Sequence, residues 1–213
     1  MGLINLVILF FLYSFIGWLI EVFEGIINRK EFVNRGFFIG PYCPIYGFGG
    51  LFISFLLKKY EYDYIALFVI GALICTILEY FTSLILEKIF NTRWWDYKDK
   101  KIHLNGRVCL EVMLLFGIAT PIFIKIINPI ILRSLVLPSK VKIFIFIIII
   151  LFFIVDLIIS LKVLMDMRKN NMIDNKDITK KVNKRVKEVM IERGYFTKRL
   201  LNAFPLLRIK SKK

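Results

Sequence analysis

The chain has 213 residues, 58% of them hydrophobic, and a formal net charge of +15. With a mean hydropathy of +0.68, this composition excludes an ordinary soluble domain and points to a compact set of membrane helices. Roughly +11 of the charge lies after residue 161, where 16 Lys and Arg face five acids; this fits a cytoplasmic anchor better than a nucleic-acid-binding arm, because no nucleic-acid motif accompanies it.

Taken in chain order, apolar runs of about twenty residues predict five spans, near 3–27, 44–57, 64–89, 108–127 and 141–164. The expected fold is all-α: a polytopic bundle over 1–166 followed by a basic cytoplasmic tail over 167–213. The first span lacks a basic n-region and a small-residue cleavage site, so it is expected to remain as an anchor. The second is about 21 Å long at 1.5 Å per residue, against a hydrocarbon core of about 30 Å. To cross, it must borrow the irregular residues before it. The stretch Phe32–Gly50 holds two prolines and five glycines, which remove backbone donors and loosen a helix. Non-helical backbone survives at membrane depth only where protein or a water-filled cavity covers it, so a cavity is expected beside Asn34, Gly40, Pro41, Pro44 and Tyr46.

Basic residues assign the sides. Arg29, Lys30 and Arg35 lie in one loop, and Arg93, Lys98, Lys100, Lys101 and Arg107 in another. The opposite loops hold Lys58 and Lys59, then Arg133, Lys140 and Lys142. The positive-inside rule then gives a multi-pass cell-membrane protein with its N-terminus outside and its C-terminus cytoplasmic. In the tail, Ile178, Val182, Val186, Val189 and Met190 recur at helical spacing after a candidate cap, Asp177, and basic residues fill the other face. Such a segment suits the anionic lipids of the inner leaflet or a partner helix.

Spans one, three and five share a pattern in which an acid is followed four residues later by a small residue: Glu21 and Gly25, Glu79 and Ser83, Asp156 and Ser160. On a helix each pair lies on one face. A parallel repeat of two-helix units with one extra helix accounts for this, as does chance similarity between short apolar strings. Carboxylates at helix centre cost about 2.5 to 3.5 kcal/mol on insertion scales, so Glu79 and Asp156 should face the bundle interior, paired or protonated. Glu21, Glu24 and Glu87 lie nearer the inner end. Arg35, Arg93 and Arg107 are the expected partners, because a guanidinium fork grips a carboxylate or phosphate at two points. Such a network serves equally as a packing device or as a binding site.

A second signature, Arg93-Trp94-Trp95-Asp96-Tyr97 followed by Asn105-Gly106-Arg107, reads either as an interfacial aromatic belt or as an amphipathic floor for the Arg35 loop, with Trp18 lining the same pocket. Cys43, Cys75 and Cys109 have no paired spacing and His103 is the single histidine, so neither a metal site nor any other cofactor is expected.

Together, Tyr13-Ser-x-x-Gly17-Trp18-x-x-Glu21, the Phe32–Gly50 stretch, Glu79-x-x-Thr82-Ser83-x-x-x-Glu87, Arg93-Trp-Trp-Asp-Tyr97 and Asn105-Gly-Arg107-x-Cys109-Leu110 resemble the bacterial CmpB family, over about residues 10–160. That family carries a type IV ABC-transporter label and has vertebrate transmembrane relatives. The resemblance implies a permease-like role. The chain holds no Gly-x-x-x-x-Gly-Lys-Ser/Thr, so any ATPase is a separate subunit, and five spans are few enough that a homo-oligomer is expected. Two other readings stand beside transport: an enzyme or binder acting on lipid headgroups, for which no catalytic set is visible, and a non-catalytic membrane scaffold.

Overall fold

The structure is a computed structural model and describes residues 2–29, 38–90 and 93–169. The amphipathic tail, Asn34 and Arg35 therefore lie outside the described residues. Helix α1 covers Leu3–Arg29, α2 Pro44–Leu56, α3 Tyr64–Phe90, α4 Leu110–Ile122, α5 Asn128–Ser134 and α6 Ser139–Lys169. A two-stranded antiparallel ribbon, β1 His103–Leu104 with β2 Val108–Cys109, closes the loop before α4, pairing His103 with Cys109 and Leu104 with Val108.

Four helical segments are long and apolar enough to cross a membrane: Leu3–Ile27, Tyr64–Phe90, Leu110–Ser134 and Ser139–Lys162. The remaining one, α2, has 13 residues, about 20 Å at 1.5 Å per residue. The fourth crossing runs further than its hydropathy predicts, to Ser134 rather than Ile127. Pro121 and Pro129 lie inside it, and a π turn at Phe123–Ile127 stands between them. The wider turn lets the chain absorb the ring and the missing donor of Pro129 without ending the helix.

Close approach of small residues sets the packing, as expected where lipid is as apolar as the side chains. A Cβ on Gly47 would meet Ser14 and Phe10, one on Gly50 would meet Tyr13, and one on Gly17 would enter the Tyr46 ring. These contacts bind α1 to α2. The α3–α4 pair uses the same device, with Gly71 against Thr120 and Gly117 against Phe68. Both short-helix starts are buried cysteines: Cys43 precedes α2 and Cys109 precedes α4. The Cys43 N–H donates to the Ser14 carbonyl at 2.9 Å, so α2 begins about half-way along α1 rather than at the membrane edge.

Helix α6 is the least covered; 11% of its most apolar window is buried. Its docking is concentrated at one level. Phe153 packs against Phe11, Phe38 and Tyr42, with ring centroids 5.3, 5.3 and 5.9 Å away. Asp156, one turn further on, meets the backbone of the interrupted segment. On the opposite half of the bundle, the Tyr13 hydroxyl donates to Asn128 Oδ1 at 2.6 Å and lies 3.2 Å from the Ser54 hydroxyl, tying α1 and α2 to the start of α5.

Replacing Gly47 by Leu should separate α1 from α2 and cost about 1–3 kcal/mol as overpacking. A melt of the detergent-solubilised protein reads this directly; Gly2→Leu, at a position with nothing within 4 Å, should leave the midpoint unchanged.

Candidate intramembrane polar site

Asp156 is 9% exposed, and four donors converge on it. The Ile39 N–H reaches Oδ1 at 2.9 Å, the Gly40 N–H reaches Oδ2 at 2.7 Å, the Ser160 hydroxyl reaches Oδ1 at 2.8 Å, and the Tyr42 hydroxyl donates to Oδ2. Two of these are backbone amides that a helix would have satisfied and the broken segment does not. Gly40 is required here because a Cβ at that position would meet the Tyr42 ring and Asp156 Oδ2. Pro41 is exposed, and Pro44 opens α2, where its missing donor costs nothing.

Glu79 is equally deep, 7% exposed, but differently served. Its Oε1 accepts from the Tyr97 hydroxyl at 3.0 Å, whereas Oε2 has no hydrogen-bond partner among the described residues. Glu21, half-buried on α1, accepts from the Tyr46 hydroxyl at 2.6 Å and lies within electrostatic reach of Glu79. Glu24 is half-buried three residues further along α1. Each acid of the three-fold sequence pattern thus takes a phenol hydrogen bond: Glu21 from Tyr46, Glu79 from Tyr97, Asp156 from Tyr42.

The expectation that arginines answer the deep acids is corrected for Arg93 and Arg107. They go to Glu87. Arg107 Nη1 lies 2.5 Å from Glu87 Oε2, an ion contact whose angle falls short of a hydrogen bond, and Arg93 Nε lies 3.4 Å from the same carboxylate. Glu87 is nearer the helix end, where long side chains from the loop can reach it. Glu79 sits two turns deeper, within range of the rigid Tyr97 ring. Asp156 shares none of these partners and forms a separate centre on α6.

The loop that delivers Tyr97 is held by its own contacts. Trp94 is buried and packs on Phe90 with centroids 5.8 Å apart. The Trp95 indole N–H donates to the Arg107 carbonyl at 2.9 Å, and the Tyr97 N–H to the Gly106 carbonyl at 2.8 Å. The two tryptophans therefore lock this loop onto α3 and onto its own far end. Asn105 and Gly106 take positive φ, +54° and +69°, and a side chain at Gly106 would strike Asp96 Oδ1. Asp96 accepts the Lys98 N–H at 3.1 Å and lies 3.5 Å from Arg93 Nη1. Asn105 Nδ2 donates to the Tyr80 hydroxyl at 3.2 Å. Trp18 stacks on Phe15 of its own helix, 5.9 Å between centroids.

Sequence reasoning named Glu79 and Asp156 but missed Tyr42 and Tyr97 as their partners. The available signal was that both tyrosines stand beside the motifs, in segments that must fold back toward the spans. Tyr13, Ser54 and Asn128 were also missed.

Burial, and then the neighbouring charge and hydrogen bond of Glu79, push the Tyr97 phenol well above its ordinary value of 10.0. The unfolded chain then loses this proton first, so the contribution of Tyr97 is intact below pH 10 and is lost as pH rises beyond it. Melting midpoints of the wild type and Tyr97→Phe, compared from pH 8 to pH 11, should converge above about pH 10. A constant difference across that range contradicts the burial of this phenol.

Residues 8–161 match the family model described as "Putative ABC-transporter type IV". No curated protein and no solved structure matches the chain. The matched segment runs from the first turns of α1 to Leu161 of α6, and so includes Glu21, Glu79, Asp156, the ribbon and the interrupted second crossing. On that coverage the chain is a membrane protein of the CmpB family.

Proposed function

We propose that the chain is a permease-like protein in which Glu79, with Glu21, takes up a proton or small cation from the cytoplasmic side. The observation that supports this most is the unpartnered Oε2 of a carboxylate that is 7% exposed at membrane depth. An ionisable group inside a bilayer is costly, and when it is left half-satisfied the missing partner is a natural place for an exchangeable ion. The setting agrees. Helix α2 is a half-helix that begins about mid-membrane, beside Glu21 through Tyr46, and interrupted helices of this kind form substrate and ion sites in transporters. The loop carrying Tyr97 closes over Glu79 from the basic, cytoplasmic side. Coupling to ATP belongs to a separate ATPase chain docked on that side, and a second copy of this chain completes the pathway.

The test is ion movement through the full chain in proteoliposomes carrying a pH-sensitive dye, with sodium or potassium gradients as further arms. Glu79→Gln should reduce movement about tenfold or more, while Tyr97→Phe, which leaves the carboxyl in place, should reduce it less. Movement untouched by Glu79→Gln, or absent from the wild type under every gradient with and without an ATPase partner, overturns the reading.

A further inference from the structure

Beyond Glu79, the end of α3 and the β1–β2 ribbon enclose an open cleft of ≈ 630 Å³. Its polar lining is Tyr80, Arg93, Lys98, His103, Asn105 and Arg107. Three of these are cations and no carboxylate lines the cleft. The acids that hold the cations, Glu87 and Asp96, stand behind the lining: Glu87 contacts Arg107 at 2.5 Å and Arg93 at 3.4 Å, and Asp96 contacts Lys98 at 3.8 Å.

The two guanidinium groups are held in place before any ligand arrives. Arg93 Nη1 donates to the Asn105 carbonyl at 3.0 Å, and the Arg107 guanidinium lies 5.8 Å from the Tyr80 ring centroid. Side chains already ordered lose little entropy on binding. His103 Nδ1 accepts the Gly106 N–H at 3.2 Å, so a neutral His103 carries its proton on Nε2 as a donor. Guanidinium forks, an ammonium, an imidazole N–H and an amide together are the donor set that suits a tetrahedral oxyanion. Leu84 completes the lining, and exposed Leu73, Ile77 and Phe81 continue along α3 toward the membrane centre. That apolar lane is where an acyl chain attached to the anion would lie.

We propose that this cleft binds a phosphate-bearing anion at the membrane edge, a role independent of ion uptake at Glu79. A phospholipid headgroup and free phosphate share the chemistry, and binding measurements separate them. The full chain, delipidated in detergent, is titrated with phosphatidylglycerol, phosphatidylcholine or inorganic phosphate while its melting midpoint is followed, since a ligand that binds the folded state raises it. Phosphatidylglycerol should raise the midpoint of the wild type and of Lys101→Ala, which removes an exposed cation of the same loop outside the cleft. Lys98→Ala/His103→Ala should need about tenfold more lipid for the same shift, the loss of roughly one charge-assisted contact, and Lys98→Arg should behave as wild type. A phosphatidylglycerol response without one to inorganic phosphate assigns the site to a headgroup; a response to inorganic phosphate that the double variant loses assigns it to the free anion. Equal responses from the double variant and Lys101→Ala overturn the proposal, as do equal shifts with the two phospholipids when inorganic phosphate gives none.

Discussion

Backbone amides inside a bilayer have no water to turn to, and the architecture of this protein follows from how it meets that constraint where the second crossing is broken. Residues 38–43, just ahead of α2, are not helical, with Gly40 and Pro41 among them, and Cys43 already stands beside the middle of α1. Two of its amides turn to Asp156 on the last helix. A carboxylate is an acceptor-only group with two oxygens, and it receives two N–H and two O–H donors here. Between residues 143 and 161 the only polar residues of α6 are Asp156 and Ser160, and its apolar window is only 11% buried, so this junction, with Phe153 beside it, fixes where that helix sits.

A second buried carboxylate does different work. Asp156 is saturated by donors and reads as part of the scaffold. Glu79 has one oxygen met by Tyr97 and one met by nothing described, and its neighbour Glu21 adds negative charge rather than relieving it. Phenols suit this intermediate state, since a tyrosine hydroxyl donates one bond without bringing a positive charge that would hold the carboxylate permanently ionised. Arg93 and Arg107 are kept at the rim, where Glu87 holds them beside the ribbon.

The sequence made the spans legible because long apolar runs have few other fates, and the boundaries of α1, α2 and α3 agree with hydropathy to within a few residues. It misplaced the end of the fourth crossing, since Pro129 reads as a stop unless the π turn ahead of it is known. Depth alone identified Glu79 and Asp156 as buried. Their partners were not legible: Ile39 lies 117 residues from Asp156 and Tyr97 lies 18 from Glu79, and neither separation carries a periodic signal. Pairing of Glu79 and Asp156 with Arg93 and Arg107 was the natural guess, and the reach of those two side chains decided against it. The family match covers the residues that build both centres.

Melting midpoints of Asp156→Asn and Glu79→Gln in the same detergent test the division between scaffold and site most directly. An amide at 156 must turn an N–H2 toward donors, so Asp156→Asn should lower the midpoint strongly. Glu79→Gln removes charge from an incompletely paired carboxyl and should leave the midpoint unchanged or raise it. The opposite order, with Glu79→Gln the more damaging, would contradict the account.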